Sequence, residues 1–96
     1  MTELTLVSTR TYPLRPLVEG ALANELRLLE VGIHRTEQQL QEFERKHRMT
    51  TATFISRYED DELPETLEFA EWIGEYRLLL RLREKADTLQ EIRFAN

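Results

Sequence analysis

Any chemistry in this chain must come from a short list of side chains. His34 and His47 are the only histidines, thirteen positions apart. Two ligands on one helix share a metal at spacings of three or four, so these two do not. Eight carboxylates crowd into positions 59–75 (Glu59, Asp60, Asp61, Glu62, Glu65, Glu68, Glu71 and Glu75) with no lysine or arginine among them. A calcium loop alternates oxygen ligands around a glycine turn, and this run lacks that order. An acid/base pair needs one carboxyl shifted by burial, whereas these read as a solvated face. The hydroxyls of Thr50, Thr51, Thr53 and Ser56 have no histidine in a triad-like setting and read as helix caps. There is no cysteine, which removes disulfides and thiolate metal sites. No glycine-rich phosphate loop, HExxH or GxSxG occurs. The expectation is a chain with no enzymatic activity, no cofactor and no metal.

The totals narrow the class further. Ninety-six residues make one domain with a modest core. A net charge of −5, from 18 acidic and 13 basic residues, has the wrong sign for meeting phosphates, so nucleic acid is a disfavoured partner. No apolar run reaches the roughly 18 residues of a membrane span. The start Met1-Thr2-Glu3-Leu4 lacks the basic and apolar parts of a signal peptide. Cytoplasmic residence is therefore expected.

What remains is helical architecture. Leu22, Leu26, Leu29, Ile33, Thr36, Leu40, Phe43 and His47 follow one another at alternating spacings of four and three, the seam of a coiled-coil-like helix. This predicts a first long helix over 17–47, opened by Pro16 and closed by Glu44-Arg45-Lys46-His47-Arg48, whose cations face the negative helix end. Gly32, beside Ile33, admits close approach of a second helix. Leu28 and Val31 widen the apolar face of its first half, which is therefore expected to be the more deeply buried. Thr50 predicts the N-cap of a short corner helix in which Phe54 and Tyr58 share a face, with Met49 as a hydrophobic staple. Pro64 breaks the chain, and a second long helix is expected from about Thr66 to Ile92.

That last helix carries two apolar stripes. Phe69, Trp72, Ile73, Tyr76, Leu79 and Leu80 form one; Leu78, Leu82, Leu89 and Ile92 form the other. Two stripes imply two neighbours, the first long helix and a second copy of the chain or another protein. Arg77, Arg81, Arg83 and Lys85 alternate with the leucines and answer acidic charges on either neighbour. Ahead of the helices, residues 1–16 read as an extended arm, with Thr5–Tyr12 able to form a strand that pairs with a copy of itself or drapes over the helices.

The middle of the chain resembles a family. Arg35-Thr36-Glu37, Leu40, Phe43-Glu44-Arg45-Lys46, Met49, Phe54, Tyr58, the acidic run, Leu63 and Glu68-Phe69-Ala70-Glu71-Trp72 are similar to small helical antitoxin-like proteins of bacteria, cyanobacteria and archaea. The resemblance covers about residues 20–80 and rests on helix-packing residues. It implies the antitoxin half of a toxin–antitoxin pair, encoded beside a small toxin-like protein. The chain departs from the family pattern at His47 and Arg48, where members carry an aromatic residue and a glycine. Arginine in a left-handed helix cap costs about 1 kcal/mol or more relative to glycine.

Together these features predict an all-α protein. An extended arm over 1–16 precedes a helical hairpin domain over 17–96, in which two long antiparallel helices flank a short corner helix. Two copies are expected to join as a homodimer with a four-helix-bundle-like core. The interface candidates are Leu22, Leu26, Leu29, Ile33, Leu40, Phe43, Trp72, Tyr76, Leu78, Leu82, Leu89 and Ile92, with Trp72 and Tyr76 read either as anchors or as core. The expected function is a protein–protein interaction module, antitoxin-like by the resemblance, that receives a small basic partner. The alternatives are a ribbon–helix–helix-like DNA-binding autoregulator and a purely structural homo-oligomer.

Overall fold

The computed structural model describes residues 2–5, 7 and 13–94. The chain is helical, with α1 over Leu14–His47, α2 over Thr51–Glu59 and α3 over Leu67–Gln90. α1 and α3 pack against each other along most of their shared length. They run antiparallel: His47 at the end of α1 meets Phe69 and Trp72 at the start of α3, and farther along Arg83 reaches Glu37.

α1 begins at Leu14, three residues earlier than the sequence pattern suggests, with Pro13 at the N-cap. Pro16 is then the third helical residue. Its missing N–H is one of the four that have no partner inside a helix start, so the proline fits there without loss. α1 ends on Arg48, which takes the left-handed conformation (φ 54°, ψ 42°) and donates its backbone N–H to the Glu44 carbonyl. The next two helices start as the sequence indicates. Thr50 Oγ1 accepts the Thr53 N–H at 3.1 Å, and Thr66 Oγ1 accepts the Phe69 N–H at 3.0 Å.

One expectation is corrected at the chain ends. β1, Thr2–Leu4, pairs in parallel with β2, Ile92–Phe94, in the register Thr2 with Ile92, Glu3 with Arg93 and Leu4 with Phe94. The arm thus finds its strand partner in the chain's own far end, and its strand lies ahead of Thr5–Tyr12. Most of that 5–12 stretch falls outside the described residues. Ile92, expected to close the second apolar stripe, is in β2 beyond the end of α3.

The core gathers at the corner. Leu40, Phe54, Phe69, Trp72, Ile73 and Leu79 form one buried cluster, ringed by half-buried Ile33, Phe43, Met49, Ile55, Tyr58, Leu63 and Tyr76. Phe54 and Trp72 are fully enclosed and stack face to face, centroids 3.8 Å apart. Toward the open end of the hairpin only Leu29 and Ala86 are buried among the described residues, so the first half of α1, expected to be the more deeply buried, is instead the less covered half, with Leu17, Leu28 and Val31 exposed. The molecule measures 60 × 21 × 18 Å with a radius of gyration of 19.0 Å. A compact chain of this length has a radius near 12.5 Å, so much of the helical surface has no cover within the chain.

Candidate interaction surface

The basic turn that closes α1 is used by the fold. Arg45 pairs with Glu42 at 2.6 Å, and Lys46 pairs with Glu68 at 2.8 Å. Glu44 Oε2 accepts the Thr51 N–H at 2.7 Å, tying the end of α1 to the start of α2. His47, read from sequence both as the last member of the seam and as one of the cations that close α1, is half-buried, stacked on Trp72 and edge-on to Phe69. Its Nε2 lies 3.2 Å from Glu68 Oε1 but off the line of the N–H, so the contact is polar without being a formed hydrogen bond. The Lys46 ammonium holds the Glu68 carboxyl below its ordinary value; partial desolvation opposes this and His47 adds in the same sense as Lys46.

Thr51 joins all three helices. The Trp72 Nε1–H donates to Thr51 Oγ1 at 3.1 Å inside the core. This polar bond gives the enclosed indole its partner, as buried donors require. Trp72, an interface candidate from sequence, is 0% exposed and has no surface left for a partner; its place is the core. Leu29 and Leu40 are likewise buried between the chain's own helices. Leu22, Leu26, Ile33, Phe43, Tyr76, Leu78, Leu82 and Leu89 are half-buried and keep free edges.

The two stripes of α3 now separate physically. At about 100° per residue, the buried line Trp72, Leu79, Ala86 runs down the middle, toward α1. On one side Phe69, Ile73 and Tyr76 meet α2 through Phe54, Ile55 and Tyr58. Part of the first stripe therefore has its second neighbour inside the chain, a cover that the stripe pattern alone did not reveal. Past the end of α2 the same side is bare, and Leu80 is left exposed. The other side, Leu78, Leu82 and Leu89, faces away from α2. There Gly32 of α1 lies against Leu82, where an added Cβ would stand 3.4 Å from Leu82 Cδ1 in ordinary van der Waals contact, so the helices meet at this point without the approach requiring a glycine. Near the open end Leu29 and Leu89 line an open groove between α1 and α3, rimmed by Glu25, Arg81, Glu84 and Lys85.

Large apolar side chains stand exposed along this side. Leu17, Leu28 and Val31 of α1 are 53%, 55% and 61% exposed, and Leu67 at the start of α3 is 77% exposed. Spacings of eleven and three put Leu17, Leu28 and Val31 on one flank of α1. The carboxylates of Glu59, Asp60, Asp61, Glu62 and Glu65 stand exposed at the corner. Among the described residues, no three histidine, aspartate or glutamate side chains converge as a cation site, and no helix is long and apolar enough to cross a membrane. No protein-family model matches the chain, and comparison with curated proteins and with solved structures returns no match either, so the antitoxin-like resemblance gains no support from them.

Proposed function

We propose that this chain is a non-enzymatic protein–protein interaction module of the cytoplasm, working as a homodimer whose remaining apolar flank receives a small basic protein. The observation that carries the reading is the row Leu17, Leu28, Val31, large apolar residues exposed on one flank of a helix that α3 covers only elsewhere. Isolated exposed leucines are ordinary, but an aligned row rimmed by polar residues marks an interaction surface. The exposed acidic corner favours a basic partner through electrostatic complementarity. An antitoxin that neutralises a basic toxin needs this kind of covering surface and no chemistry of its own. That narrower identity rests on the family resemblance.

The test is capture of the tagged chain from its native cells with mass-spectrometric identification, repeated with Leu28→Glu/Val31→Glu. One stoichiometric small basic protein, lost with the double variant while the circular dichroism is unchanged, supports the module. Recovery of untagged copies alone replaces it with a structural homo-oligomer. The ribbon–helix–helix alternative predicts salt-sensitive binding to duplex DNA in an anisotropy titration. No observation favours it: the ribbon it would need, in residues 4–12, lies mostly outside the described residues.

A further inference from the structure

The uncovered side of α3 has a pattern that reads the same in both directions. Leu78 is its centre. Three residues to either side stand Glu75 and Arg81, four to either side Gly74 and Leu82, seven to either side Glu71 and Lys85, and eleven to either side Leu67 and Leu89. All nine lie within the arc of α3 that turns away from α2 and past α1, by the helical period. Among the described residues none of Glu71, Glu75, Arg81 and Lys85 forms an ion pair, although Arg83 on the inner face pairs with Glu37. Gly74 has open space where a side chain would stand, and Leu67 is the most exposed large apolar residue in the helices.

We infer that α3 is the homodimer interface, pairing antiparallel with α3 of a second copy about a two-fold axis through Leu78. This register rests on the dimer reading above and assigns its surface. Two-fold symmetry makes an interface self-complementary, so each residue must suit its counterpart at equal distance across the axis. Here every such counterpart does. Glu71 meets the partner's Lys85, and Glu75 meets the partner's Arg81, each pair formed twice. Leu82, whose tip rests on Gly32 of its own α1, borders the space left open at the partner's Gly74, Leu67 covers the partner's Leu89, and Leu78 meets itself. The contact runs about 33 Å, the length of 22 residues of helix.

Other arrangements lose this match. A parallel pairing in register sets Glu71 on Glu71 and Arg81 on Arg81, and like charges face to face are strongly disfavoured across an interface. Sliding the antiparallel pair by one heptad either way sets Glu71 or Lys85 against Leu78 and leaves at most Arg81 opposite a carboxylate, that of Glu68, which Lys46 of its own chain already holds. The charge pattern thus selects both the direction and the register.

The experiment uses the full chain, whose lack of cysteine allows single labelling sites. Nitroxide labels at Ala70, Arg77, Glu84 and Thr88, all exposed, are read by pulsed electron-spin distances between copies. The register predicts the shortest distance at Arg77 and axial separations growing to about 18 Å at Glu84, 24 Å at Ala70 and 30 Å at Thr88. In parallel, Glu71→Lys/Glu75→Arg should raise the dimer dissociation constant on the order of tenfold to a hundredfold in analytical ultracentrifugation. Adding Arg81→Glu/Lys85→Glu should restore it. A dimer with near-equal distances at all four sites, or one indifferent to the charge reversal, overturns the α3 register while leaving the dimer standing. A parent chain that is monomeric at micromolar concentration overturns both.

Discussion

The bond between Trp72 and Thr51 makes the sharpest claim about what holds the corner together. Trp72 is fully enclosed, and Thr51 Oγ1 is the acceptor for its indole N–H, at 3.1 Å. Thr51→Val keeps the branched shape and nearly the same helix propensity at the first position of α2, but removes that acceptor. The N–H then stays buried without a partner, which costs about 1–3 kcal/mol. At ~2 kcal/mol the urea midpoint falls by about 1 M for a slope near 2 kcal/mol/M, and the melting temperature drops by roughly 8–16 °C for a domain of this size. The chain has a single tryptophan, so its fluorescence reports on the site directly. The assay is urea unfolding at one fixed protein concentration for the parent, T51V, Trp72→Phe and the double variant. Trp72→Phe costs packing on its own account but removes the donor, so Thr51→Val in that background should cost markedly less. The expected coupling is about 1 kcal/mol or more. A T51V stability within ~0.5 kcal/mol of the parent, with zero coupling, refutes the reasoning: the indole N–H would then be satisfied some other way.

Four further substitutions, at three positions, probe separate parts of the fold. Arg48→Gly should stabilise the chain by about 1 kcal/mol in the same urea assay, because Arg48 holds φ 54° at the cap where glycine has no Cβ penalty; a net loss would mean that the arginine side chain outweighs the backbone strain. Gly32→Ala, whose Cβ makes ordinary contact with Leu82, should be neutral or up to about 1 kcal/mol stabilising, whereas Gly32→Leu should cost about 1–3 kcal/mol by overpacking; equal behaviour of the two in thermal melts would contradict the close approach. Glu68→Gln bears on acid stability. The folded carboxyl titrates below its ordinary 4.5, chiefly through Lys46, so its contribution is present above that pH and is lost as pH falls through the lowered folded value. E68Q should therefore flatten the acid limb of a stability–pH profile below about pH 4.5, and an unchanged limb would show that the Lys46 pair contributes nothing to folding.

Much of the corner was legible because local rules and packing agree there. Thr50 and Thr66 cap the helices they precede, and Phe54 and Tyr58 share a face with rings 5.9 Å apart. Thr36 is a polar residue in an apolar seam, yet it is buried at 3% exposure because its hydroxyl donates to the Gly32 carbonyl one turn back. His47 was harder. Its place among the basic residues at a helix end suggested solvent, while its place as the last member of the 4-and-3 seam pointed inward. The seam was the better signal, since Phe69 and Trp72, more than twenty positions later, supply the rings that enclose it. Nothing local announces a contact of that range. The pairing of Thr2–Leu4 with Ile92–Phe94 joins the two ends of the chain and had no signal in either segment alone.

The two stripes of α3 show why a pattern of leucines underdetermines its neighbours. Apolar surface is non-directional, so a stripe states that something covers it without stating what. For Ile73 and Tyr76 the cover is α2, which the sequence had placed as a corner piece without assigning it this burial. For Leu78, Leu82 and Leu89 no cover comes from α2. Charge is directional where apolar area is not. Of the basic residues that alternate with the α3 leucines, Arg83 finds Glu37 on α1, while Arg81 and Lys85 find no ion-pair partner among the described residues. Their spacing from Glu75 and Glu71 is mirror-matched about Leu78. A partner of unrelated sequence would have to supply that mirrored order independently, whereas a second copy of α3 supplies it by symmetry. The row Leu17, Leu28 and Val31 belongs to α1 and contributes none of the nine residues of that contact, so it stays the surface offered to a different protein.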